Sequence, residues 1–129
     1  MTLIDTSAWI EFLRKNGRLE IKQRVAACLD RGETAYCGPI EFELLSGIRA
    51  GEEADIHDAF RFSERLDFPA ACWRRAAQIE RGLRAKGVTI PRDDIFVAAA
   101  ALHHDVALYS CDPHFVLIRD KGRIPLRLL

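Results

Sequence analysis

The sequence predicts an α/β fold, a three-layer α/β/α sandwich with a central, mainly parallel sheet. Two observations lead there. Its short apolar runs, such as Leu3-Ile4 and Ala35-Tyr36-Cys37, lack the in–out alternation of a half-exposed sheet. Longer stretches with helical apolar spacing separate them, which suits strands joined by crossover helices.

The elements follow in order. Residues 2–5 read as a strand, and Thr6 and Ser7 offer an N-cap to a helix continuing through Leu13. Asn16-Gly17 ends it. Leu19, Ile21, Val25, Ala26 and Leu29 mark a second helix over 19–31, closed by Gly32. Residues 34–37 form a buried strand, stopped by Gly38-Pro39, and Pro39 suits the start of a helix over 40–49. Another helix spans 53–65, with a strand at 66–68. Pro69 opens a long amphipathic helix to Lys86, ended by Gly87. An alanine-rich helix over 93–104 leads to a strand at 106–110. Asp112-Pro113 begins a short helical turn, and 124–129 is a terminal strand candidate.

Composition narrows the class. A chain of 129 residues with 49% hydrophobic content suits one domain with its own core, not a disordered tail. No apolar run approaches the ~18 residues of a membrane span. Asp5 and Glu11 do not suit a secretory signal. Cys28, Cys37, Cys72 and Cys111 form no C-x-x-C, so free thiols in a cytoplasmic protein are expected.

In doubly wound sheets, ligands bind beyond the carboxyl ends of the strands. Asp5 and Asp112 follow the first and fourth strands. Each could simply cap a helix, although Thr6 and Ser7 could do that work for Asp5. Asp93 and Asp94 open the alanine-rich helix, where either favours the macrodipole. Asp94 has Val97 and Ala98 at i+3 and i+4, which turns it toward the sheet. Glu41 and Glu43 both lie in the helix after the second strand, and spacing separates them only weakly. Asp5, Glu43, Asp94 and Asp112 thus come from elements that meet at one end of the sheet. Such carboxylates would repel and raise one another's pKa values unless a cation sat among them. An all-oxygen cluster suits Mg2+ or Mn2+, which can position a water against a phosphoryl group.

Four stretches in order then resemble the PIN domain, in the form of a VapC-type toxin. They are Leu3-Ile4-Asp5-Thr6-Ser7, Glu43-Leu44-Leu45-Ser46-Gly47, Asp94-Ile95-Phe96-Val97-Ala98-Ala99 and Tyr109-Ser110-Cys111-Asp112-Pro113-His114-Phe115. The resemblance covers almost the whole chain and makes 1–129 a single PIN-like domain. It implies a Mg2+- or Mn2+-dependent endoribonuclease, the toxin of a toxin–antitoxin pair. Asp5, Glu43, Asp94 and Asp112 would be the catalytic acids, with Asp5, Asp94 and Asp112 on the metal. Ser7 or Thr6 would support Asp5 or a water at the ion, and Ser110 stands where the family often has threonine. The implied partners are RNA, a VapB-like antitoxin and a second copy of the chain, with no membrane.

Two rival readings carry less. A catalytically inactive PIN-like binding module would not need all four acids. A receiver-type phospho-acceptor domain needs a lysine at the end of a late strand. Lys15, Lys22, Lys86 and Lys121 are the only lysines, and none follows an apolar strand that way.

The formal net charge is zero, yet charge is distributed unevenly. Residues 41–67 carry eight acids against three arginines, a net of −5, and 73–92 carry a net of +5. The basic stretch suits a solvated helix face or an RNA-contacting surface, with Arg81 and Arg84 as candidates. Phe42, Leu44, Leu45, Ile48, Ile56, Phe60 and Phe62 are expected mostly in the core, with some left to line a groove for an acidic-to-neutral antitoxin.

Overall fold

The computed structural model describes residues 1–129. Four strands form one sheet in the order β3-β2-β1-β4: β1 (Thr2–Ile4), β2 (Thr34–Cys37), β3 (Glu64–Leu66) and β4 (Ala107–Tyr109). All three pairings are parallel. Helices connect the strands: α1 (Thr6–Leu13), α2 (Leu19–Asp30), α3 (Gly38–Ser46), α4 (Glu53–Arg61), α5 (Ala70–Ala85), α6 (Arg92–His103) and α7 (His114–Gly122). The α/β class with a parallel central sheet is the one the short apolar runs predict. No helix is long and apolar enough to cross a membrane.

The central strands are dark to solvent because residues of both faces meet helices. Leu3, Ile4, Ala35, Cys37 and Leu108 are all at most 1% exposed. Trp9 anchors the α1 side, with Phe12 and Phe60 rings edge-on at 6.1 and 5.8 Å. Tyr36 stacks on Phe60 at 3.8 Å. On α6, Val97 and Ala98 through Ala101 are buried. Their small side chains let this helix lie close to α5 and bring its first turn to the sheet's carboxyl end.

Several boundaries depart from the sequence reading for local reasons. Asp5 is itself the N-cap of α1, and its carboxylate accepts from the Ser7 backbone N–H. Thr6 and Ser7 lie inside the helix rather than capping it. The helix expected over 53–65 stops at Arg61. Ser63 Oγ donates to the Ala59 carbonyl, a local bond that competes with helix continuation. The third strand therefore starts earlier, at 64–66, pairing Tyr36 with Arg65 and Cys37 with Leu66. Exposed Glu64 and Arg65 place charge along this sheet edge. The terminal strand shrinks to a single parallel bridge between Leu108 and Leu128, near Pro125, which has no N–H for a ladder. The short turn after Asp112 is a nine-residue helix, α7.

Candidate active site

The sheet sets the site's frame through β1 and β4. Ile4 is in register with Tyr109, and the Asp5 N–H donates to the Tyr109 carbonyl at 3.0 Å. Asp5 and Ser110 therefore leave the sheet side by side. Ser7 Oγ and Ser110 Oγ each donate to Asp5 Oδ2 at 2.8 Å. A hydroxyl has one proton, so each is spent on that oxygen. Both hydroxyls also accept backbone N–H groups, Ser7 from Cys111 at 3.0 Å and Ser110 from Asp112 at 2.9 Å. These bonds tie the start of α1 to the segment after β4.

Asp5 is 2% exposed, and its Oδ1 has no hydrogen-bond partner. One oxygen of this carboxylate is saturated by donors and the other is bare. Burial pushes its pKa up, opposed by the Ser110 and Ser7 bonds. An orphaned, buried carboxylate oxygen is costly unless something positive meets it.

Asp94 stands in the first turn of α6, 8% exposed. Burial raises its pKa to about 6, with the charges of Asp5 and Asp112 adding to the rise. Its neighbour Asp93 is exposed. Asp112 Oδ1 accepts the His114 backbone N–H at 2.9 Å and so shapes the entry to α7. The His114 ring completes this cluster. Its Nδ1 lies 2.7 Å from Asp94 Oδ2 and 2.9 Å from Asp112 Oδ1. Asp94, Asp112 and His114 offer ligand atoms all within 4.8 Å of one another.

Glu43 joins from α3. Thr6 Oγ1 donates to its Oε1 at 2.9 Å. Burial lifts the Glu43 pKa to about 7, the Thr6 bond works against that, and Asp93, Asp5 and Asp94 add repulsion. Glu41 instead pairs with Arg65 at 3.2 Å, on the side of β3. Asp93 thus acts on the site through its charge, although its side chain faces solvent.

The four acids singled out in the sequence therefore share one end of the sheet, and Thr6, Ser7 and Ser110 all bond to them. His114 is the residue that sequence reasoning missed. The turn after Asp112 gave no signal for it, because the bond to Asp112 there uses the His114 backbone N–H rather than the ring. The tightest cluster is accordingly Asp94, Asp112 and His114, with Asp5 bordering it. Arg81 is exposed on α5 and makes no ion pair, whereas Arg84 is held by Glu80 at 3.0 Å. Glu80 also holds Arg92, at 3.1 Å, two residues before Asp94.

The PIN domain profile matches residues 2–121. The chain belongs to the PIN domain family. Among curated relatives, Ribonuclease VapC11 of Mycobacterium tuberculosis is 30% identical over 127 residues, covering 92% of this chain and 91% of the relative. Solved structures with the same fold include VapBC2 from Rickettsia felis, bound to a promoter DNA fragment. It has a TM-score of 0.79 and 19% identity, covering 99% of this chain and 96% of that one. FitAcB from Neisseria gonorrhoeae has a TM-score of 0.80 and 18% identity, covering 100% and 96%. The acidic end of this PIN domain is thus a possible metal site, built from oxygen donors and one imidazole.

Proposed function

We propose that this PIN domain is a divalent-metal-dependent endoribonuclease, the toxin of a VapBC-like toxin–antitoxin pair. The observation that carries the reading is the bare Oδ1 of buried Asp5, set beside Asp94, Asp112 and Glu43. The donor set fits Mg2+ or Mn2+, which accept carboxylate oxygens and retain water. Asp5, Asp94 and Asp112 would hold the ion. Once bound, it supplies the positive charge that eases phosphoryl transfer and makes a water more acidic.

The protein's own groups do the rest. Ser7 and Ser110 fix the Asp5 carboxylate through Oδ2 and leave Oδ1 without a partner. Thr6 holds Glu43 at the edge. With a pKa of about 7, Glu43 can take a proton from water or return one to a leaving 3′-oxygen near neutral pH. Arg81 and Arg84 on α5 are the proposed phosphate contacts.

The antitoxin has a candidate seat between α1, α2 and α4. Phe12, Leu13, Leu29 and Phe62 line a hollow of about 540 Å³ with Asp30, Asp55 and Asp58 on its rim. Phe62 is 69% exposed there, while Ile56 and Phe60 are buried. That acidic rim suits an apolar segment bearing Lys or Arg, which differs from the acidic-to-neutral partner expected from sequence. A homodimer is supported by the edge-on cluster of Phe68, Trp73 and Phe96, in which Trp73 is 54% exposed. The protein would act in the cytoplasm.

The deciding experiment incubates purified protein with RNA and Mg2+ or Mn2+, with and without EDTA, alongside Asp5→Asn. Metal-dependent cleavage lost in the variant is the expected result. Cleavage by Asp5→Asn at the wild-type rate would refute the site, and RNA binding without any cleavage would leave an inactive binding module.

A further inference from the structure

The geometry points to a nitrogen ligand: His114 coordinates the divalent ion through Nδ1 and biases this site toward Mn2+ over Mg2+. The inference rests on the metal-dependent reading above and concerns which ion that site selects.

The distances suit it. Two neighbouring ligands on an octahedral ion, each at ~2.1 Å, stand about 3 Å apart. His114 Nδ1 lies 2.7 Å from Asp94 Oδ2 and 2.9 Å from Asp112 Oδ1. The same nitrogen therefore sits at ligand spacing from two carboxylates of different elements. Its backbone is pinned as well, because the His114 N–H donates to Asp112 Oδ1. Asp5 supplies a second, independent observation. Asp5 Oδ1 is buried with no partner, and the Asp5 charge bears on Asp94.

The tautomer is compatible. Nδ1 presents a lone pair when the ring proton resides on Nε2. The His114 side chain is 36% exposed, which leaves Nε2–H free to reach water. Both ions take carboxylate oxygen, but Mn2+, a transition ion, accepts an imidazole nitrogen more readily than Mg2+, a harder cation that keeps to oxygen. Mixed donors thus favour Mn2+ without adding charge to an already acidic site.

Calorimetric titration of the full chain with Mn2+ and with Mg2+, for wild type and His114→Ala, tests this. Pulsed EPR on the Mn2+ complex reads bound nitrogen directly. The expected result is nitrogen modulation in wild type that vanishes in His114→Ala. Mn2+ affinity should fall roughly tenfold or more, with Mg2+ affinity changed less than about threefold. Bound Mn2+ without nitrogen modulation in wild type overturns the inference while leaving the carboxylate metal site intact. Equal losses for both ions also overturn it. Failure of wild type to bind either ion removes both the inference and the metal-dependent reading.

Discussion

Thr6 Oγ1 donates a 2.9 Å hydrogen bond to Glu43 Oε1, so the first turn of α1 steadies a carboxylate carried by α3. That bond favours the charged form of Glu43 and restrains a pKa that burial has already lifted to about 7. Thr6→Val should push it higher and leave less carboxylate at neutral pH. RNA cleavage is expected to fall about tenfold near neutrality, in line with loss of a supporting hydrogen bond. It should recover as pH rises, and a pH–rate profile of wild type and variant checks this.

Asp5→Asn separates chemistry from folding. Asparagine also caps helices well, so α1 should keep its start. The variant removes a buried charge whose Oδ1 has no partner. Thermal melting in EDTA should therefore match or exceed wild type, while cleavage drops to background. A large loss of melting temperature would mean that Asp5 is chiefly structural.

The raised pKa values of Asp5, Glu43 and Asp94 make the metal-free fold sensitive to pH. An acid with a folded pKa above its unfolded value binds more protons when folded. Stability then falls as pH rises through that window. Here the window opens near the ordinary carboxylate range and closes at about 6 for Asp94 and about 7 for Glu43. Melting curves in EDTA should show a falling midpoint across it. Adding Mn2+ or Mg2+ should restore stability above the window and do little below it, where protons occupy the carboxylates.

Arg81 and Arg84 differ in their surroundings, since only Arg84 is paired with Glu80. If both meet RNA phosphates, alanine at the two positions should flatten the salt dependence of single-strand binding. The expected change in the log–log slope is roughly 1.4, at ~0.7 per phosphate contact. Binding measured across a salt series in EDTA, which prevents cleavage, gives the slope. An unchanged slope would restrict both arginines to the solvated face of α5.

Much of this was legible in the chain because local rules and tertiary needs agree there. Apolar runs such as Leu3-Ile4 and Ala35-Tyr36-Cys37 are buried from both sides, and that double burial appears in sequence as missing alternation. Asp94 was readable from Val97 and Ala98 at its helical neighbours, both fully buried. Ser63 was not, because its bond to Ala59 is a side-chain preference that periodicity cannot register. His114 was hidden differently. Its partner Asp94 lies twenty residues away on another helix, so only the meeting of α6 and α7 shows the pair. Asp5 looked dispensable as a cap because Thr6 and Ser7 stood beside it, yet it serves as cap and site residue at once.

The in-register exit of β1 and β4 carries a consequence for how this protein can change over generations. Asp5 and Ser110 meet because Ile4 pairs with Tyr109. Sliding either strand by one position would turn its side chains to the opposite face of the sheet. A single-codon insertion or deletion within these short strands would thus uncouple the serines from the carboxylate even if the sheet re-formed. The exposed connection around Arg49 to Gly51 has no such constraint, so length variation among descendants should collect there and stay away from β1 and β4.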